Sequence, residues 1–166
     1  MLGGMGHPTA AKGDEHMRRR RAAIDELHFV YIKLGHLLTA LTRRVSLQDL
    51  GHLLTTQHRM GRMIDDRLQR TAFEHGIPAR PCVCQEAADL VEKVCHAERS
   101  AVRDDRPRAI IAGLLELRGF LLRTWQDLIA LSAEGIPEPR DKAVALQPQE
   151  GELRRELVEM ERRTAA

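Results

Sequence analysis

Residues 24–45 read IDELHFVYIKLGHLLTALTRRV, and the placing of their apolar side chains decides the fold class. Ile24, Leu27, Tyr31, Leu34, Leu38, Leu41 and Val45 follow one another at alternating spacings of three and four. That period holds one stripe of an α-helix against its neighbours. No strand-rich segment competes with it.

The same period continues downstream. Ser46 interrupts the first helix, and a second carries the seam Leu50, Leu54, Gln57, Gly61, Ile64, Leu68, Thr71. It stops at His75-Gly76-Ile77-Pro78, where glycine takes a left-handed turn and proline cannot continue a helix. A third helix, over about 85–102, has the small-residue seam Ala87, Leu90, Val94, Ala97, Ala101. Asp104-Asp105-Arg106-Pro107 opens a fourth, because carboxylates cap and an early proline is tolerated in the first turn. This fourth helix is the most hydrophobic. One row runs through Ile110, Leu114, Leu117, Leu121, Leu128 and Leu131, and a second holds Ile111, Leu115, Leu122, Trp125 and Ile129. Gly135 to Pro139 ends it, and Glu152 to Arg163 forms a short amphipathic tail helix. The expectation is an all-α antiparallel four-helix bundle with an additional short C-terminal helix. Residues 1–20, glycine-rich and aperiodic at the start, read as a disordered arm, and 21–166 as a single bundle domain.

Composition narrows the functional classes. With 166 residues the chain suits one domain with a sizeable core. A formal charge of +2 gives no global basic field for nucleic acid, leaving the Arg18–Arg21 run as a solvated arm able at most to make a weak contact. No apolar run approaches the length of a membrane span, and no secretory leader is recognisable at the start, so the expected location is cytoplasmic. Three cysteines without a disulfide framework agree with a reducing compartment.

A bundle of this length raises the di-metal carboxylate possibility, in which inward Glu and Glu-x-x-His residues hold iron or manganese. Here the seams hold Tyr31, Gln57, Thr71 and Thr124, with no inward carboxylate or histidine, and Glu-x-x-His does not occur. Asp25-x-x-His28 and Asp49-x-x-His52 have related spacing but fall beside or outside their seams. Ser46-Leu-Gln-Asp49 is better explained as a capping box. His58 lies at a boundary position, and Glu116 is turned away from the seam. No metal or cofactor is therefore favoured. Iron, manganese or zinc held by Asp25, His28, Asp49, His52, His58 and Glu116 is the alternative, as an oxidoreductase or storage protein. Cys82 and Cys84 precede the third helix, whose N-terminus can lower a thiol pKa, so a thiol redox sensor is a third reading. Phosphate loops, nucleophile elbows, His-Glu-x-x-His and Cys-x-x-Cys are all missing from the sequence, and an enzyme is not favoured.

Leu68-Gln69 ahead of His75-Gly76-Ile77-Pro78, Cys84 leading the third helix, and DDRPRAIIAGLLELRGFLLRTWQDL over 104–128 with Arg118-Gly119 and Trp125 carry a resemblance. The chain resembles bacterial ferritin-like four-helix-bundle families, including the YciE/YciF-type stress proteins, over roughly 24–162. The resemblance implies a ferritin-like bundle and a structural, stress-associated or interaction role. Where metal-binding ferritin-like proteins offer Glu-x-x-His or Glu-x-x-Glu, this chain has Gln57-His58-Arg59-Met60 and Glu116-Leu-Arg-Gly119. Apolar positions off the main seams, namely Phe29, Ile32, Leu115, Leu122 and Trp125, are the expected interface of a homodimer.

Overall fold

The computed structural model describes residues 8–133 and 137–166, the side chains of 8–10, 133 and 137–142 excepted. Five helices follow in order: α1 Pro8–Thr42, α2 Gln48–Glu74, α3 Gln85–Ser100, α4 Arg106–Ala133 and α5 Pro137–Ala165, with no strand among the described residues.

Four of them close a ring. α1 packs on α2, α2 on α5, α5 on α4 and α4 on α1, while α3 lies outside against α4 and α1. Side-chain contacts give the directions. His28 meets Asp65 while Gly35 meets His58, so α1 and α2 are antiparallel. Arg118 meets Glu150 while Arg108 reaches the Thr164 carbonyl, so α4 and α5 are antiparallel too. Two helical hairpins are thus joined by a crossover, residues 75–105, that contains α3. The core between them is aliphatic. Leu27, Val30, Leu54, Ile64, Ile111, Leu117, Leu121 and Leu157 are wholly buried, each worth about 1.5–3 kcal/mol relative to exposure.

Three expectations need correction. The fifth helix is not a short tail: it begins at Pro137, passes through Pro148 and forms one side of the ring. α3, read from its seam as a bundle member, is the outer helix; it has 16 residues and buries chiefly Ala87 and Val94. Residues 8–20, expected to be disordered, extend α1, while 1–7 lie outside the described residues. In that extension Arg18 pairs with Glu15, and Arg20 is buried with Nη2 3.5 Å from the Leu131 carbonyl. A helical period turns one member of the arginine run inward while its neighbours face water.

Local chemistry sets the helix ends. At the end of α2, Gly76 has φ +69°, its N–H donates to Phe73 O (3.0 Å), and Ile77 N–H donates to Ala72 O (2.8 Å). This is a Schellman closure, with glycine supplying the left-handed residue. The start of α2 differs from expectation. Leu47 is the N-cap and no side chain caps it, so Ser46 lies outside the helix and the expected capping box does not form. Asp49 still sits in the first turn, where the helix dipole favours it. α3 approaches α4 closely at Gly113, where a Cβ would lie 2.5 Å from Val94 Cγ2.

Candidate functional site: a sealed polar network at the bundle centre

Within the aliphatic core, the centre of the ring holds a small polar network. Arg118, on α4, is 1% exposed and Glu150, on α5, is 0% exposed; Arg118 Nη1 donates to both carboxylate oxygens at 3.0 Å. Glu150 Oε2 also accepts from the Tyr31 hydroxyl at 2.8 Å, and Tyr31 Oη accepts from Trp125 Nε1 at 2.9 Å. On the other side, Arg118 Nε donates to Gln57 Oε1 at 3.0 Å. The Gln57 amide in turn donates to Leu153 O at 2.9 Å and Glu156 Oε2 at 3.2 Å. All four ring helices contribute, α1 through Tyr31, α2 through Gln57, α4 through Arg118 and Trp125, and α5 through Glu150.

Each group in the chain has a partner suited to it. Indole N–H is a donor only, tyrosine oxygen both accepts and donates, and the ionised carboxylate accepts from two sides. Burial and the Glu150 charge push the Tyr31 hydroxyl well above its ordinary pKa, so it stays a proton donor. Breaking such a pair at one end strands a charge, which costs about 3–5 kcal/mol. Gly61 lies over the network, where a Cβ would make ordinary van der Waals contact with Tyr31 Cδ1 at 3.7 Å and Arg118 Nη2 at 4.0 Å.

Gln57 lies on the expected seam of α2 and is buried there, bonded to Arg118, Leu153 and Glu156; Thr124, the polar seam residue of α4, is not among its partners. Thr124 instead donates to the Phe120 carbonyl within its own helix. Arg118 and Glu150 were not read as core residues, yet both leave a signal. Ile111, Arg118 and Trp125 are seven apart on the second row of α4, and Leu146, Glu150, Leu153, Leu157 and Met160 alternate by four and three. Opposite charges each interrupt one apolar row, and they pair across the core.

The six residues considered as metal ligands go to different places. Asp25 is buried and accepts from the Arg80 N–H at 2.7 Å, with the guanidinium 3.8 Å away, pinning the start of the crossover to α1. His28 Nδ1 lies 2.9 Å from Asp65 on α2. Asp65, which Gln69 also contacts, has its pKa raised because burial outweighs the histidine. Asp49 and His52 are exposed. His58 packs its ring against Gly35, and Glu116 is paired with Lys93 at 2.9 Å. Among the described residues no three His, Cys, Asp or Glu side chains converge as ligands would.

Cys82 and Cys84 are half-buried, and both thiol pKa values are raised. For Cys84 the α3 amides of Ala87 and Glu86 pull the other way, but burial, Glu26 and Glu86 prevail. The helix N-terminus expected to activate the thiols is thus outweighed. Of the expected interface, Trp125 is wholly buried and belongs to the core. Phe29, with the Lys33 ammonium 5.7 Å from its ring centroid, Leu115 and Leu122 are half-buried, and Ile32 is exposed.

No family model matches the sequence, and no curated protein does. Among solved structures the chain is similar to one described as "YcfI, a putative structural protein from Rhodopseudomonas palustris", with a TM-score of 0.75, 16% identity, and coverage of 81% of this chain and 87% of that one. At that identity the likeness shows a shared helical-bundle fold alone.

Proposed function

We propose that the chain is a ferritin-like bundle whose centre is held by an internal ion pair in place of a di-metal site, and that it serves as a structural, stress-associated or interaction protein, assembled as a homodimer. The supporting observation is the Arg118–Glu150 pair. A di-metal centre needs several carboxylates pointing inward to offset the cations. Here the inward carboxylate has both oxygens taken by a permanent cation. A metal ion brought to that point would meet the positive guanidinium before any free ligand. Two antiparallel hairpins joined by one crossover also match the ferritin-like connection pattern. The structural role in the name of the similar Rhodopseudomonas palustris protein is compatible with this reading.

The test has two parts. Elemental analysis of untagged protein should find iron, manganese and zinc each well below one ion per chain; stoichiometric metal lost in His28→Ala or His58→Ala would overturn the reading. Light scattering should give twice the chain mass, reduced toward the monomer by Ile32→Asp, an exposed position whose change spares the core. A monomer at all accessible concentrations would remove the dimer from the proposal. No helix among the described residues is long and apolar enough to cross a membrane.

A further inference from the structure

At the end of the bundle where α1 turns into α2 and α3 turns into α4, the two connections enclose a cleft of about 310 Å³. Its floor is apolar, with Leu50 and Ile110 both buried. Its polar lining is formed by Ser46 and three arginines, Arg44, Arg103 and Arg106, so three cationic residues border one small concavity.

Their charges are poorly offset. Arg44 reaches the buried Glu98 at 3.4 Å, the only acid among the described residues paired with any of the three. Arg103 and Arg106 make no ion pair among the described residues, and Arg106 Nε is shut off from solvent without an acceptor. Asp104 and Asp105, which stand between them in sequence, are exposed and do not line the cleft. Cations gathered against an apolar floor repel one another more strongly than in water, and a bound anion would relieve that repulsion.

We infer that this cleft binds a phosphomonoester, with Arg103 and Arg106 gripping the phosphate, Arg44 at the rim, and the apolar floor receiving the group to which the phosphate is attached. A phosphomonoester carries close to two negative charges at neutral pH and three acceptor oxygens. The planar guanidinium fork matches that geometry better than a point charge does. A single carboxylate would offset less of the charge. The volume falls at the small end of the range for small-molecule sites, about 300–1,000 Å³.

The test uses the full chain at fixed ionic strength. Phenyl phosphate and inorganic phosphate are titrated while the backbone amides of Leu47 and Ala109 are followed by NMR. The expected result is saturable shifts with both, tighter for phenyl phosphate, and at least tenfold weaker for Arg103→Gln combined with Arg106→Gln. Arg106→Lys should recover part of the loss. If the double variant does not fold, Arg103→Gln alone, at an exposed position, gives the same comparison. Shifts that chloride reproduces, or an unchanged affinity in the variants, would overturn the site. Sedimentation with vesicles containing phosphatidic acid separates the sources of the phosphate: vesicle binding lost in the variants supports a lipid phosphomonoester, binding of phenyl phosphate without vesicles supports a soluble one, and neither overturns the proposal.

Discussion

Replacing Glu150 by leucine is the most informative perturbation of this bundle. The substitution keeps a similar volume but leaves the Arg118 guanidinium, 1% exposed, without its counter-charge, and leaves the Tyr31 hydroxyl without its acceptor. Arginine cannot discharge itself by losing a proton, so the cost cannot be relieved by titration. Breaking one end of a buried pair costs about 3–5 kcal/mol. For a chain of this size that is a fall in melting temperature of about 6–20 °C, taking about 2–4 °C per kcal/mol. Urea unfolding followed by circular dichroism and by the single tryptophan, Trp125, measures it, and coincident transitions establish that the change is two-state. The companion Arg118→Met, Glu150→Leu double variant removes both charges, and its cost should be smaller than that of Glu150→Leu alone, since apolar replacement of a whole buried pair is often neutral. It will not be zero, because Gln57 Oε1 and the Tyr31 hydroxyl still lose partners. A loss below about 1 kcal/mol for Glu150→Leu, with single effects that add within about 0.5 kcal/mol in the double variant, would refute the network as the bundle's central tie.

Other substitutions probe other parts. Gly113→Ala should destabilise by about 1–3 kcal/mol through overpacking, because the 2.5 Å approach to the β-branched Val94 outweighs alanine's helix preference of about 1 kcal/mol; adding Val94→Ala should restore part of it in the same urea assay. Gly76→Ala should cost about 1–2 kcal/mol by forcing a side chain into a left-handed conformation. Glu26 has a raised pKa from burial, then Glu86 and Asp127; the folded state therefore holds its proton more tightly than the unfolded, and this contribution to stability is present at low pH and lost as pH rises above the ordinary glutamate value of 4.5. Glu26→Gln should accordingly raise the melting temperature slightly at pH 7 and leave it unchanged near pH 3, and a loss at pH 7 would contradict this account. Cys82 and Cys84, with raised pKa values, should react with iodoacetamide at pH 7 more slowly than an unstructured cysteine peptide; faster reaction would restore the redox-sensor reading.

Much of the architecture was legible. The seam from Ile24 to Leu41 is buried as its spacing requires, and so are Leu50, Leu54, Gln57, Ile64 and Leu68 on α2. The error lay in deciding which helix stands outside. A periodic stripe shows that a helix buries one face but does not say against what, and α3 satisfies its Ala87 and Val94 on the outer surface of α4 and α1. α5 was shortened for the opposite reason. Pro148 and Glu150 both look like interruptions when a stripe is scored one helix at a time, whereas a charge paired across the core continues the buried face. The arginine-lined cleft left even less trace, since Arg44, Arg103 and Arg106 are brought together only by the packing of two separate connections.

The central network also bears on the order in which the chain can become a protein. Arg118 is synthesised before Glu150, and α1, α2, α3 and α4 all leave the ribosome before the carboxylate that neutralises the core does. Until α5 arrives, closing α4 onto the α1–α2 hairpin would bury an unpaired guanidinium, which disfavours that docking. A nascent or cleaved chain lacking α5 would therefore present its apolar faces, including Trp125, to chaperones and proteases. Docking of α5 thus closes the centre of the bundle, and the residue that neutralises it is Glu150.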